Sequence, residues 1–253
     1  MMSQQPLEKS TAVVDSYGPC RVHLVRPRNW SPQKGCVVVV QEAFGVNDHI
    51  LSLCERFASQ GYLAAAPELF HALGAGVVFG YHEFDKLKPF YSQLKNEHLL
   101  ADIKATLEYL NGLGREFGAE PPAVGVVGFC MGGFTALLAA CHLDLKAVVS
   151  FYGAGVVRQR PSVGIAPYVK DLGHLRCPAL LFYGGQDASI PPEDREAISE
   201  ALAQQKQPYE VKYFENAQHG FFCDARPSYH ADAAREAWEQ TLAFLKQWML
   251  QVK

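Results

Sequence analysis

The chain has 253 residues, 49% hydrophobic and 19% charged, the balance of a globular protein able to bury a sizeable core. A net charge of −3 sets up no basic field of the kind that holds nucleic acid or an anionic membrane surface. The cysteines (Cys20, Cys36, Cys54, Cys130, Cys141, Cys177 and Cys223) are odd in number, and no two are spaced Cys-x-x-Cys. That argues against a disulfide framework or a spaced zinc motif, and for reduced thiols in a cytoplasmic protein.

Residues 1–10 are polar and lack the apolar stretch of a secretion signal, so they are expected to form a tail. No apolar run approaches the roughly 18 residues that span a bilayer. Residues 21–25 read as a strand. Residues 35–41, Gly35-Cys-Val-Val-Val-Val-Gln41, are a continuous β-branched run, the mark of a strand buried on both faces. Asn47 or Asp48 caps a helix carrying Ile50, Leu51, Cys54, Phe57 and Ala58 at helical spacing, and Gly61 ends it. A strand at 62–66 stops at Pro67.

Residues 68–90 have several glycines and little period, and are expected to be a lid or insertion. A long helix follows at 91–113, then a strand at 123–127 and a helix from 131 to about 141. Buried strands at 146–152 and 179–183, a helix over 191–205 with proline at its start, and a strand at 209–214 come next. The last helix carries Ala234, Ala237, Trp238, Thr241, Leu242, Leu245, Trp248 and Met249 on one stripe. Repeated β-α-β units predict a mostly parallel sheet with helices on both faces, in one α/β domain spanning 1–253.

Chemistry concentrates at Val124-Gly-Val-Val-Gly-Phe-Cys-Met-Gly-Gly133, a short strand running into Gly-x-Cys-x-Gly. This is a nucleophile elbow with sulfur in place of the usual hydroxyl. Gly128 and Gly132 leave room for the sharp turn, and the helix N-terminus behind it favours a Cys130 thiolate. A lone cysteine is more often structural; the glycines after a strand reverse that here. Asp187 follows a buried strand in Leu181-Phe-Tyr-Gly-Gly-Gln-Asp187, and His219 follows another in Glu215-Asn-Ala-Gln-His-Gly-Phe221. Nucleophile, acid, histidine is the α/β-hydrolase order, and all three sit at carboxyl ends of predicted strands. Met131 and Ala43 are the expected backbone donors of an oxyanion hole. Glu42, at the end of a buried strand, needs a partner to offset its desolvation; it is either a salt-bridged or loop-exposed glutamate, or one set beside the thiol to accept or control the Cys130 proton. Phe44, Tyr91 and Phe221, with Phe129 and Phe222, are candidates for an apolar substrate site or plain core. The other histidines (23, 49, 71, 82, 98, 142, 174 and 230) show no paired metal spacing. No cofactor or metal is expected.

Gln41-Glu-Ala-Phe-Gly-Val-Asn47, Gly128-Phe-Cys-Met-Gly-Gly133, Gly184-Gly-Gln-Asp187 and His219-Gly-Phe together resemble the dienelactone hydrolases. The likeness runs from about residue 10 to 248. It implies an α/β-hydrolase fold and metal-free hydrolysis of a small ester or lactone. Cys130 would attack, His219 shuttle the proton and Asp187 orient it. Glu42 would hold or deprotonate the thiol, and Ala43 and Met131 would form the oxyanion hole. Family members that open dienelactone bind its carboxylate with arginines, one of them four positions after the catalytic histidine. Here that position is Cys223, the nearest arginine is Arg226, and 68–89 holds none. Lys86, Lys88, His71 and His82 are the substitutes on offer there. Two other readings stand beside this one: a broad carboxylesterase or thioesterase, and a non-catalytic, redox-responsive protein on the same fold. A glutamine amidotransferase is set aside, because its acid follows the histidine by two positions, where Phe221 stands. The oligomeric state is open, a monomer being compatible.

Overall fold

The computed structural model describes residues 6–161 and 163–250. Among the described residues, the seven expected strands and one unexpected one, β1, assemble into one sheet of eight: β1 (Leu7–Asp15), β2 (Pro19–Pro27), β3 (Cys36–Val40), β4 (Leu63–Pro67), β5 (Val124–Phe129), β6 (Ala147–Phe151), β7 (Ala179–Gly184) and β8 (Tyr209–Phe214). Their order is β1-β2-β4-β3-β5-β6-β7-β8. The first two strands run antiparallel to each other, β2 antiparallel to β4, and β4 through β8 parallel. The sheet is mostly parallel, as the repeated β-α-β units predict. Every residue of β3, β5, β6 and β7 is buried, as their runs of apolar residues, broken only by Ser150 in β6, require.

Among the described residues six α-helices connect and cover the strands: α1 (Asp48–Ser59), α2 (Phe84–Tyr91), α3 (Asn96–Glu116), α4 (Met131–His142), α5 (Pro192–Leu202) and α6 (Ala231–Met249). Asn47 caps α1 by accepting from the Ile50 amide. Side chains alternate faces along a strand, so Gly125 and Gly128 look opposite ways. A Cβ on Gly125 would meet Met249 and Leu245 of α6, and one on Gly128 would overlap the start of α4. The helices α4 and α6 therefore flank β5 on opposite faces. Among the described residues no helix is long and apolar enough to cross a membrane.

The structure departs from the sequence reading in two places. The expected polar tail ends early: 1–5 lie outside the described residues, and β1 begins at Leu7. Its pattern is mostly polar because it is an edge strand, held by a nine-residue register on β2 rather than by apolar burial. The helix expected over 91–113 is two helices. Tyr91 closes α2, and Lys95 is extended (φ −135, ψ 145) before α3 begins. Pro89 inside α2 lacks the N–H that would continue the helical ladder, which limits α2 to eight residues.

Candidate active site

β5 delivers Cys130 to the carboxyl edge of the sheet. The residue takes φ 55, ψ −113, a left-handed backbone that only a tight turn imposes on a side chain. The flanking glycines permit it. A Cβ on Gly128 would overlap the Gly132 carbonyl, and one on Gly132 the Val40 carbonyl at the end of β3. Met131 opens α4, so its N–H has no intrahelical acceptor. The N–H of Ala43, just past β3, likewise has no acceptor among the described residues.

His219 Nε2 lies 3.1 Å from Cys130 Sγ, and His219 Nδ1 lies 2.7 Å from Asp187 Oδ2. The other Asp187 oxygen accepts from the Ser189 amide at 2.8 Å, which fixes the carboxylate. The three side chains predicted from separate strand ends thus form one hydrogen-bonded chain. Burial alone would push the Cys130 thiol up. The charge and hydrogen bond of His219 outweigh burial and draw the thiol below its ordinary value, with Glu42 opposing. Burial alone would lower the His219 imidazole; the Cys130 sulfur and the Asp187 carboxylate raise it instead. Both shifts favour a thiolate–imidazolium pair. Iodoacetamide is therefore expected to alkylate Cys130 at a rate that stays high well below the ordinary thiol pKa. A rate that rises only as pH approaches 9, like a free thiol, would contradict the pair.

Glu42 is fully buried, and desolvation raises its carboxyl despite the neighbouring charges of Arg226 and His219. One oxygen accepts from Arg226 at 3.2 Å and from the Tyr152 hydroxyl at 3.5 Å; the other has no partner among the described residues. Its direct partner is thus Arg226, and no hydrogen bond joins it to Cys130 among the described residues. Tyr152, at the end of β6, also has a left-handed backbone (φ 41) and sets its ring 5.1 Å from that of His219.

These groups surround a cavity of 280 Å³ whose floor is Cys130, Met131, Ala43 and His219. Phe44, Phe84, Tyr91, Val163 and Ile165 supply apolar walls. The 68–90 segment contributes Phe84, and Tyr91 follows directly; the Tyr91 carbonyl accepts from Gly164 at 2.8 Å, joining this wall to the loop after β6. Of the aromatic candidates, Phe44 and Tyr91 reach the cavity. Phe221 does not: it is fully buried against Tyr152 and Phe214, in the core behind the site. Phe129 and Phe222 pack at a tilt in the same core.

Two arginines enter the cavity, Arg226 and Arg160. Arg226 sits over the Phe44 ring at 5.7 Å and the Tyr81 ring at 5.8 Å, held by Glu42. Arg160 has no carboxylate partner among the described residues. The substitutes weighed from sequence lie elsewhere. Lys86 and Lys88 pair with Glu83 and Asp85 on the surface, His82 is exposed, and His71 pairs with Asp102. Arg226 was visible in the sequence as the nearest arginine, but seven positions from His219 instead of four. The intervening loop folds back on itself (Cys223 N to Gly220 O, Arg226 N to Cys223 O) and returns the guanidinium to the site.

The model of the dienelactone hydrolase family matches residues 20–249. A Synechocystis protein described as a candidate carboxymethylenebutenolidase is 36% identical over 206 residues, covering 81% of this chain and 82% of its own. The carboxymethylenebutenolidase of Pseudomonas putida is 29% identical over 212 residues, covering 83% and 84%. A crystal structure of a candidate dienelactone hydrolase from Klebsiella pneumoniae superposes with a TM-score of 0.84 at 32% identity, covering 96% of this chain and all of that one. The chain belongs to the dienelactone hydrolase family and is a carboxylic ester hydrolase of the α/β-hydrolase fold.

Proposed function

We propose that the protein hydrolyses small esters or lactones that carry a carboxylate, using Cys130 as nucleophile, His219 as general acid and base, and Asp187 as its orienting partner. The observation that carries this reading is the Cys130–His219–Asp187 hydrogen-bonded chain at the floor of a cavity that also holds two guanidinium groups. The thiolate attacks the carbonyl, and the oxyanion develops toward the Ala43 and Met131 amides. Each such donor is worth on the order of 10²–10³ in rate. His219 protonates the leaving alkoxide, the thioester remains on Cys130, and His219 then activates water to release the acid.

Glu42 and Arg226 control the thiol. In the free protein Arg226 cancels much of the Glu42 charge. A substrate carboxylate that takes the guanidinium removes that counter-charge. Glu42 then gains proton affinity, and as it takes up a proton from solvent its charge no longer opposes ionisation of Cys130, so the nucleophile is fully armed when an acidic substrate is seated. The small volume favours a compact substrate, and the aromatic wall favours an unsaturated one.

The test is a hydrolysis screen over carboxylated lactones, neutral lactones and simple aryl esters, with Cys130→Ala as the blank. Carboxylated lactones are expected to show the highest kcat/KM, and Arg160→Ala to raise KM for them while leaving neutral esters unaffected. Equal rates on neutral and carboxylated substrates would replace this reading by that of a broad carboxylesterase. An intact protein with no acyl-enzyme burst on an activated ester would favour the redox-responsive alternative.

A further inference from the structure

A second group of chemistry-bearing side chains lies at the root of the 68–90 segment, and hydrolysis does not use it. Cys20 on β2, His71 in the 3-10 turn at His71–Leu73 and Asp102 on α3 each bring one donor atom within 4.8 Å of the other two. Asp102 and Cys20 are fully buried, and the His71 side chain is 3% exposed. Asp102 Oδ1 accepts from Ser16 Oγ at 2.6 Å and pairs with His71 Nε2 at 2.9 Å. Asp102 Oδ2 has no partner, and no lysine or arginine pairs with this carboxylate among the described residues. Cys20 Sγ makes only long contacts, 3.7 Å each, to the Arg21 and Glu68 carbonyls. The Tyr17 ring covers the group, stacked on His98 at 4.0 Å and tilted on His71 at 4.5 Å. A buried carboxylate with one oxygen unpaired and no full counter-charge is costly unless something cationic completes it.

We propose that Cys20, His71 and Asp102 form a binding site for one divalent cation of the zinc class. Thiolate, imidazole and carboxylate are the donor types such an ion selects, and hard cations such as magnesium avoid the first two. On binding, the Cys20 S–H bond breaks, its proton leaves to solvent, and sulfur bonds the metal. His71 Nε2 gives up its hydrogen bond to Asp102 for a bond to the metal, and the free Asp102 oxygen supplies the third. Thiolate and carboxylate together offset the double charge. The ion ties three elements (β2, the 3-10 turn and α3) at the start of the segment whose far end carries Phe84 to the substrate cavity. Neither Cys20 nor His71 lines that cavity, so the site is separate from the reacting thiol.

The experiment uses chelator-stripped Cys130→Ala protein, so that the reactive thiol gives no signal. Titration with Cd²⁺ alone is expected to produce sulfur-to-cadmium charge-transfer absorption saturating at about one equivalent, displaced by Zn²⁺. The absorption disappears in Cys130→Ala/Cys20→Ser and weakens in Cys130→Ala/Asp102→Asn. Zn²⁺ raises the Tm of the parent but not of either double variant. Asp102→Asn keeps the shape of the side chain and preserves the test if the Cys20 variant does not fold. No absorption in the parent, or undiminished absorption in the double variants, overturns the proposal.

Discussion

Cys130→Ala is expected to lower kcat/KM for an activated aryl ester by on the order of 10⁴-fold or more, to the level set by binding and the oxyanion donors alone. The fold should survive. The thiol is partly exposed at the cavity floor, and alanine keeps the left-handed turn with nothing larger than the existing Cβ. Circular dichroism and Tm close to the parent's, beside lost turnover, are the expected pair of results. Cys130→Ser is expected to fall between the two. A hydroxyl loses the acidity that lets the Cys130–His219 pair ionise, so His219 must remove the proton during attack. Parental rates in the alanine variant would end the assignment. Cys20, which also lies near a histidine and an aspartate, offers no rescue, because it lines no part of the cavity.

What could be read from sequence follows from what local chemistry constrains. The elbow was legible because Gly128 and Gly132 answer to two backbone carbonyls that no side chain can displace. Asp187 and His219 were legible because parallel strands end on one edge, and β7 and β8 end just before them. β1 was not, since an edge strand is specified by its partner's hydrogen bonds and carries little apolar period of its own. Phe221 reads like a substrate contact by its neighbours in sequence. Residues after His219 turn inward, however, and its ring packs on Tyr152 and Phe214. Arg226 and Arg160 reach the site through loop paths that no spacing rule encodes, and Tyr152, though it ends a strand that was expected, carries no motif that marks it. The same holds for Cys20, His71 and Asp102, whose positions in the chain match no metal motif and meet only when β2, the 3-10 turn and α3 pack together.

Arg226→Met is expected to destabilise the protein by about 3–5 kcal/mol at neutral pH, because it removes the counter-charge from a buried carboxylate and leaves that carboxylate in place. The pair is deeply set: side-chain exposure is 14% for Arg226 and 1% for Glu42. Arg226→Met/Glu42→Gln should recover much of the loss, since the neutral amide has no charge to desolvate. Denaturant unfolding of the two single variants and the double closes the cycle. The pH dependence distinguishes charge from packing. Glu42 already binds its proton more tightly in the fold than a free glutamate, by burial, and loss of Arg226 pushes it further the same way. A carboxyl raised on folding contributes stability while protonated and loses it as pH climbs through the folded value. The Arg226→Met deficit is therefore small near pH 4, about where a free glutamate titrates, widens as pH rises, and levels off once Glu42 is ionised. A deficit equal at pH 4 and pH 8 would mean that the guanidinium serves only as packing over Phe44 and Tyr81. The same variant should lose its preference for carboxylated lactones while Cys130 still reacts with iodoacetamide. Under the proposed function, stability and substrate choice would both depend on this single buried charge, since the side chain that neutralises Glu42 is the one an acidic substrate would have to win over.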